Sequence, residues 1–471
     1  MLSIKEIIQL EKPAKEIIEQ LKQKTVFIPS WPKVDNSNKG LVSEYDPKLH
    51  PVMDTTIYRD GQNADGTPDR VTRITYNLQQ LAVKRMTELC CGIPVKRVCK
   101  PENDRQKEIA TILEKVFQRN RIDSVNNERL TMLFAGCEVM TLWYAIELEN
   151  NLYGFKSKLK LRCQNISPMQ GDRLYPLFDE YGDLIALSIL KTRTVEGKNI
   201  SYFDCYTAEK HYKWVDEGTD GWTLDEDDDI SNIGKIPAVY MYRPTPIWED
   251  TSKIVYEMEW SMSRNGNYLR KNSKPVFCVF ADEEIKFGDE NDNENSEFRS
   301  VLQYPKGSTA GYVTWQQAVE NLKFHITELR QSFFTQLQLP DWSYESMKSN
   351  PMSGESRKQL FIDAQLKVKD ESGRLLEFFD REVNVVKAFL KVALPDEYGE
   401  DIEAMPVENI ITPFTITEEK DTITNLMTAN GNKPIISQRE SIEQLGWSDD
   451  VDATLQEIHQ ESALDAFSLT E

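Results

Sequence analysis

Apolar residues recur every three or four positions early in the chain. Val71, Ile74, Leu78, Leu81, Ala82 and Leu89 fall on one helical face, and Gly92 with Pro94 stops the run, so the spacing predicts a helix over 70–91. The same period predicts helices over 104–120 and 124–135. From 136 to 242 the pattern becomes that of strands: "EVMTLWYAIE", "KLKLRCQNI", "LIALSILKTR", "SYFDCYTAEKHYKWV" and "PAVYMYR" are rich in β-branched and aromatic residues, with Asn, Gly and Asp between them. "DEDDD" at 225–229 reads as a solvated hairpin loop. Residues 35–69, rich in Asp, Asn, Gly and Pro, read as extended or looped with a short strand or hairpin. The opening "MLSIKEIIQLEKPAKEIIEQLKQK" alternates charge with apolar residues and predicts a short amphipathic helix broken near Pro13; it lacks the apolar core of a signal peptide.

The second half is organised around long helices, at 250–272, 317–339 and 355–394, the last with a kink expected near Gly373. A β-rich insert at 273–314 separates the first two. A strand is expected in 405–417, then helices at 418–429, 437–446 and 452–466. There are no internal repeats. The fold class is therefore α+β, with a small β module carried between two long helices. A helix of about 40 residues would span roughly 60 Å. Between the second and third long helices lies "DWSYESMKSNPMSGESRKQL", 341–360, a Pro-, Gly- and Ser-bearing interruption that fits a hinge, a lid or a channel loop.

With 471 residues the chain is too long for one ordinary core. No apolar run approaches the roughly 18 residues that span a bilayer. The cysteines, at 90, 91, 99, 137, 163, 205 and 278, are scattered and form no C-x-x-C, which fits reduced thiols in a core. The net charge of −21 argues against tight sequence-independent DNA binding, which needs Lys and Arg to replace phosphate counterions. It is compatible with a wall past which DNA slides without sticking.

Catalytic signatures are missing. "PKGST" at 305–309 has the composition of a P-loop in the wrong order. The histidines, at 50, 211, 325 and 459, lie far apart, and none sits in H-E-x-x-H. Ser353 lacks the G-x-S-x-G frame and reads as a helix N-cap, with Glu355 at the positive end of the dipole. In the acidic run 288–297, counting from Asp289 puts Glu294 where an EF-hand needs Gly and Ser300 at the twelfth position, so a solvated loop is expected rather than a calcium site.

Five stretches in order resemble one family, the siphophage-type portal (head-to-tail connector) proteins of tailed phages. They are "ITYNLQQLAVKRMTELCCGIPV"; "AGCEVMTLWYAIE" leading into "ISPMQGDRLYPLFDEYGDLIALSIL"; "GKIPAVYMYRP" before a helix; "MSGESRKQLFIDAQLKVK" opening the long helix; and "ISQRESIEQLGWSDDVDATLQEIHQE". Cys90-Cys91, Ser356 and the Asn/Asp-rich acidic loop depart from the usual pattern. The resemblance implies an N-terminal helical segment (1–34), an α/β wing (35–249), stem helices (250–272 and 317–339) and a β-rich clip between them (273–316). A tunnel loop (340–352), a long wing helix with a returning wing strand (353–419) and a helical C-terminal crown (420–471) follow.

The function implied is that of a non-enzymatic ring of about twelve subunits at one capsid vertex of the virion, assembled in the host cytoplasm. Double-stranded DNA would be packaged and ejected through it without sequence specificity. The tunnel-loop residues Asp341, Trp342, Tyr344, Lys348 and Asn350 are expected to face the DNA. Clip residues Asp289, Asp292, Asn293 and Glu294 are expected to dock the terminase and then the head-tail adaptor. The other implied partner is the major capsid or scaffolding protein; no cofactor, metal or membrane is implied. The alternatives are another ring-forming neck component and a metal-assisted hydrolase.

Overall fold

The computed structural model describes residues 4–23, 39–62, 66–179, 181–218, 221–229, 233–272, 276–280, 309–313, 319–341, 343, 361–413, 428, 437–445, 448 and 451–468. Contacts divide the chain into two compact units. Unit 1 is Met1–Leu339 with Lys367–Pro413, and unit 2 is Pro340–Leu366 with Phe414–Glu471.

Unit 1 opens with α1 (Ile4–Ile7) and α2 (Ala14–Leu21), with Pro13 at the N-cap of α2. Ile7, Ile17, Ile18 and Leu21 are buried against Tyr175, Phe203 and Trp214 of a five-stranded sheet described below. Next comes α3 (Lys39–Tyr45), a helix where the sequence suggested extended or looped chain. Its last turn is held from outside: Trp248 Nε1 and Ser252 Oγ donate to Glu44 Oε2 at 2.8 and 3.0 Å. Strands β1 (Gly61–Gln62) and β2 (Pro68–Asp69) form the short hairpin expected in this region.

Helix α4 runs Leu78–Cys91, eight residues shorter at its start than 70–91. The reason lies in what residues 71–77 bond to. The Val71 N–H donates to Asp60 Oδ1, Ile74 to Ser263 Oγ and Tyr76 to Glu259 Oε1, all within 3.0 Å. Side-chain acceptors thus satisfy amides that a helical turn would have paired internally. Strand β3 (Lys96–Cys99) follows, then α5 (Asp104–Arg119), capped by Asn103 Oδ1 on the Gln106 N–H, and α6 (Ile122–Gly136). Cys137 takes the left-handed conformation that ends α6, at φ 62°.

The strand-rich region forms two antiparallel sheets. One has the order β11-β4-β5, from β4 (Glu138–Asn150), β5 (Ser157–Ile166) and β11 (Ala238–Tyr242). The other is the meander β10-β9-β8-β7-β6, from β6 (Arg173–Phe178), β7 (Leu184–Val195), β8 (Lys198–Tyr206), β9 (Lys210–Asp216) and β10 (Thr223–Asp229). Met140, Leu142 and Ile166 of the first meet Leu174, Leu187 and Ile189 of the second in a shared core. The acidic run 225–229 is not a loop but part of edge strand β10. Cross-strand ion pairs, Lys213–Asp225 at 2.8 Å and Lys210–Asp227 at 3.1 Å, offset the charge repulsion.

Helix α7 (Ser252–Asn272) leads to the two-stranded ribbon of β12 (Val276–Phe280) and β13 (Thr309–Val313), and α8 (Val319–Gln336) returns to pack on α7. A Cβ at Gly266 on α7 would stand 2.9 Å from Thr72 Cγ2, so the extended 71–77 segment crosses at the closest approach a backbone allows. Helix α9 (Ile362–Ala393) runs unbroken through Gly373. It buries Val368, Leu375, Phe379, Val383, Val386 and Leu390 at helical spacing. Then α10 (Gly399–Ala404) and β14 (Val407–Ile410) close unit 1, with β14 pairing antiparallel to β3.

In unit 2, α11 (Gln438–Leu445) begins with a reciprocal capping box: Ser437 Oγ accepts the Glu440 N–H, and Glu440 Oε2 accepts the Ser437 N–H, each at 3.1 Å. Arg439 links it to Asp452 of α12 (Val451–Ser468) at 3.3 Å.

Candidate functional site

The geometry that bears on function is the place where segment 340–366 leaves and rejoins unit 1. Helix α8 ends in a Schellman motif. The Gln338 N–H donates to the Thr335 carbonyl and the Leu339 N–H to the Phe334 carbonyl, both at 3.1 Å, with Gln338 left-handed at φ 54°. Pro340 follows and cannot continue a helix. The turn is sunk into the protein: Phe333, Phe334, Leu337 and Leu339 are buried, and the Arg85 guanidinium lies 4.7 Å from the centre of the Phe334 ring.

The returning chain is fixed to that turn. On α9, Lys367 Nζ donates to the Leu337 carbonyl, 30 positions earlier in sequence. That carbonyl is one of the orphans at a helix C-terminus, where a cation is also favoured by the dipole. Burial, with Arg243 nearby, lowers the Lys367 ammonium to about 8 against the help of Glu371. Arg243, just beyond β11, pairs with Glu371 at 2.8 Å and lies over Phe134 at 5.3 Å. Lys367, Arg243 and Glu371 therefore bind α9 to both the end of α8 and the first sheet.

Farther along α9, Glu382 is fully buried and accepts Arg129 bidentately at 2.6 and 2.9 Å. The Trp143 indole donates to the same carboxylate at 3.2 Å, and Arg97 stands 3.8 Å away. Phe378 and Phe379 face the Arg129 guanidinium at 4.7 and 5.1 Å. Strands β3 and β4 and helices α6 and α9 converge there. Near α7, His50 Nδ1 lies 2.7 Å from Glu259 Oε1, and its Nε2 lies 2.9 Å from the Glu44 carbonyl. Two oxygen partners, one of them a carboxyl group, favour a ring that donates from both nitrogens. Burial opposes the charged form, but the two hydrogen bonds together with the charges of Glu259 and Asp46 outweigh it and raise the histidine.

Of the residues expected to face DNA, Asp341 is placed: its Oδ1 accepts the Ser343 N–H at 3.1 Å, a local turn just past the buried end of α8. Trp342, Tyr344, Lys348 and Asn350 lie outside the described residues, as do Asp289, Asp292, Asn293, Glu294, Ser353 and all but residue 428 of the helix expected at 418–429. Among the described residues no group of three or more His, Cys, Asp or Glu could hold a metal. Burial pushes the Cys91 and Cys137 thiols up to about 12, far from a reactive thiolate. Sequence reasoning missed Lys367, Glu371 and Glu382. Their one signal is a charge where the apolar stripe of a long helix should continue, as at Glu382 beside Phe378, Phe379 and Val383.

The profile of phage portal protein, SPP1 Gp6-like, matches residues 39–466, so the chain belongs to that family. It is a portal, the ring-forming connector between head and tail and a virion component, in a family that is structural rather than catalytic. Among curated proteins none matches the chain in sequence. Solved structures that align with it at low identity include two from gene transfer agent particles. The neck of an empty GTA particle, computed with C6 symmetry, gives a TM-score of 0.41 at 11% identity, covering 85% of this chain and 94% of its own. The virion of a native gene transfer agent (GTA) particle gives 0.38 at 10%, covering 89% and 96%.

Proposed function

We propose that the ring encloses an axial channel for double-stranded DNA and that 340–352 faces it as a tunnel loop. The observation that supports this is the root described above. Lys367 holds the Leu337 carbonyl, so the intervening segment leaves and returns at one buried point. Trp342 and Tyr344 offer stacking surface, Lys348 meets a phosphate transiently, and Asp341 and Glu345 keep the local charge low enough that DNA is touched but not held.

In this reading the ring has about a dozen subunits, sits at the portal vertex and carries no catalysis of its own. Residues 273–316, carried between α7 and α8, form the clip that docks the terminase and later the head-tail adaptor. The wing meets the major capsid or scaffolding protein. Assembly takes place in the host cytoplasm without a membrane step; no helix among the described residues is long and apolar enough to cross one.

The test is Trp342→Ala combined with Lys348→Ala. Rings and proheads should form normally while the DNA retained per head falls. Full-length, stable packaging by the double variant would leave 340–352 as a connecting loop only.

A further inference from the structure

The β4–β5 hairpin has one braced side and one open side. Tyr144 stands opposite Arg162 and Ile146 opposite Lys160. Directly opposed residues share a side of the sheet. The register skips between the Glu147–Leu159 and Asn150–Ser157 pairs, which seats Leu148 and Glu149 together opposite Lys158, a bulge that extends the same row. On the other side Ser157 and Leu161 are buried, and the Leu161 N–H donates to the Tyr153 hydroxyl at 2.9 Å, folding the hairpin loop back on its strand. A Cβ at Gly154 would stand 2.7 Å from Lys115 Nζ, so the same loop is also pressed against α5.

The open side has the wrong composition for water. A half-buried strand turns polar residues outward, yet Tyr144, Ile146 and Leu148 are 37%, 43% and 50% exposed in a row. Lys158, Lys160 and Arg162 flank them, and none of the three makes an ion pair among the described residues. In a chain of net charge −21, three adjacent unpaired cations run against the average surface.

We propose that this side of the hairpin docks on an acidic surface of the neighbouring copy of this chain, with the cations meeting carboxylates and the apolar row sealed beneath. The proposal rests on the ring. A cyclic ring joins unlike faces of successive copies, so each copy needs a surface complementary to a different one on the next. Carboxylates are the abundant complement here. Asp396 and Glu400 are exposed along 396–403, of the required sign and without an ion pair among the described residues, whereas Glu397 and Glu403 already meet Arg105 and Lys391. Tyr and Arg over an apolar row are also what protein interfaces favour, whereas a phosphodiester backbone gains nothing from Ile146 and Leu148.

The experiment places a photo-crosslinking p-benzoylphenylalanine at Ile146 in the full chain, irradiates assembled rings and maps the adducts by mass spectrometry. The expected adduct joins two copies of this chain through an acidic segment. In parallel, the Lys158→Glu, Lys160→Glu and Arg162→Glu triple variant should keep its circular dichroism and need a roughly tenfold or greater concentration to assemble. Adducts to DNA or to another virion protein, intact rings without adducts, or a charge-reversed variant that assembles like wild type would each overturn the proposal. Failure of the ring itself would show in the unsubstituted protein, as a monomer by negative-stain microscopy even with its capsid partners, and would remove the docking along with it.

Discussion

Lys367 and Leu337 join the beginning of the long helix to the end of the helix before it: the ammonium of one caps the last free carbonyl of the other. Holding that ammonium out of water has a thermodynamic signature. Its folded value of about 8 lies below the ordinary 10.5, so folding opposes protonation. Below 8 both states are charged and the cost is fully present. Between 8 and 10.5 the unfolded chain binds more protons than the folded one, and stability rises with pH. Across that window wild type should gain on the order of 3 kcal/mol relative to Lys367→Met. Thermal melts of both proteins over the range check it; parallel profiles would remove the coupling.

Removing Glu382 strands a buried guanidinium. Glu382→Leu should therefore destabilise unit 1 by about 3–5 kcal/mol. Arg129→Met added to it should recover part of the loss by removing the stranded guanidinium, while Arg97 and the Trp143 indole still lack the carboxylate. Denaturant midpoints for the single and double variants separate charge burial from packing.

The His50–Glu259 pair has the opposite sign to Lys367. The folded histidine is raised above 6.5, so its contribution is complete below that value and fades as pH climbs through the folded one. Replacing both residues with glutamine removes the two charges and keeps the hydrogen-bonding capacity. Wild type should exceed this double variant most at acidic pH, with the gap in melting temperature narrowing above 6.5. A gap independent of pH would mean that folding leaves the proton affinity of His50 unchanged and would remove the coupling.

Periodicity made α5 legible, because Ile109, Leu113, Val116 and Phe117 recur on one buried face. It failed over 70–77 for a reason no local pattern carries: the acceptors for Ile74 and Tyr76 are Ser263 and Glu259, nearly two hundred positions away. The acidic residues 225–227 looked like solvent because their counter-charges, Lys210 and Lys213, sit across a strand pair and not beside them in sequence. The candidate site divides in the same way. Pro340, Pro351 and Gly354 could be read as punctuation, but that Lys367 would reach back 30 positions to the Leu337 carbonyl is a purely tertiary fact.

Gln338 occupies a left-handed position that glycine would take without strain. Gln338→Gly should stabilise the protein by about 1 kcal/mol, and a β-branched Val there should do the reverse. Differential scanning calorimetry of the two variants reads the ordering directly.

Strand β10 is the outermost of its meander, and among the described residues nothing pairs with its free edge. Such an edge is a template for runaway strand addition. Where many copies of one chain are crowded together, that hazard multiplies, since every copy carries the same template. Asp225, Glu226 and Asp227 give this edge a charge that another β10 would share, so two of them brought together repel. The carboxylates that hid the strand from sequence reading thus act as a guard against amyloid-like stacking, leaving orderly closure as the cheaper way for copies to meet.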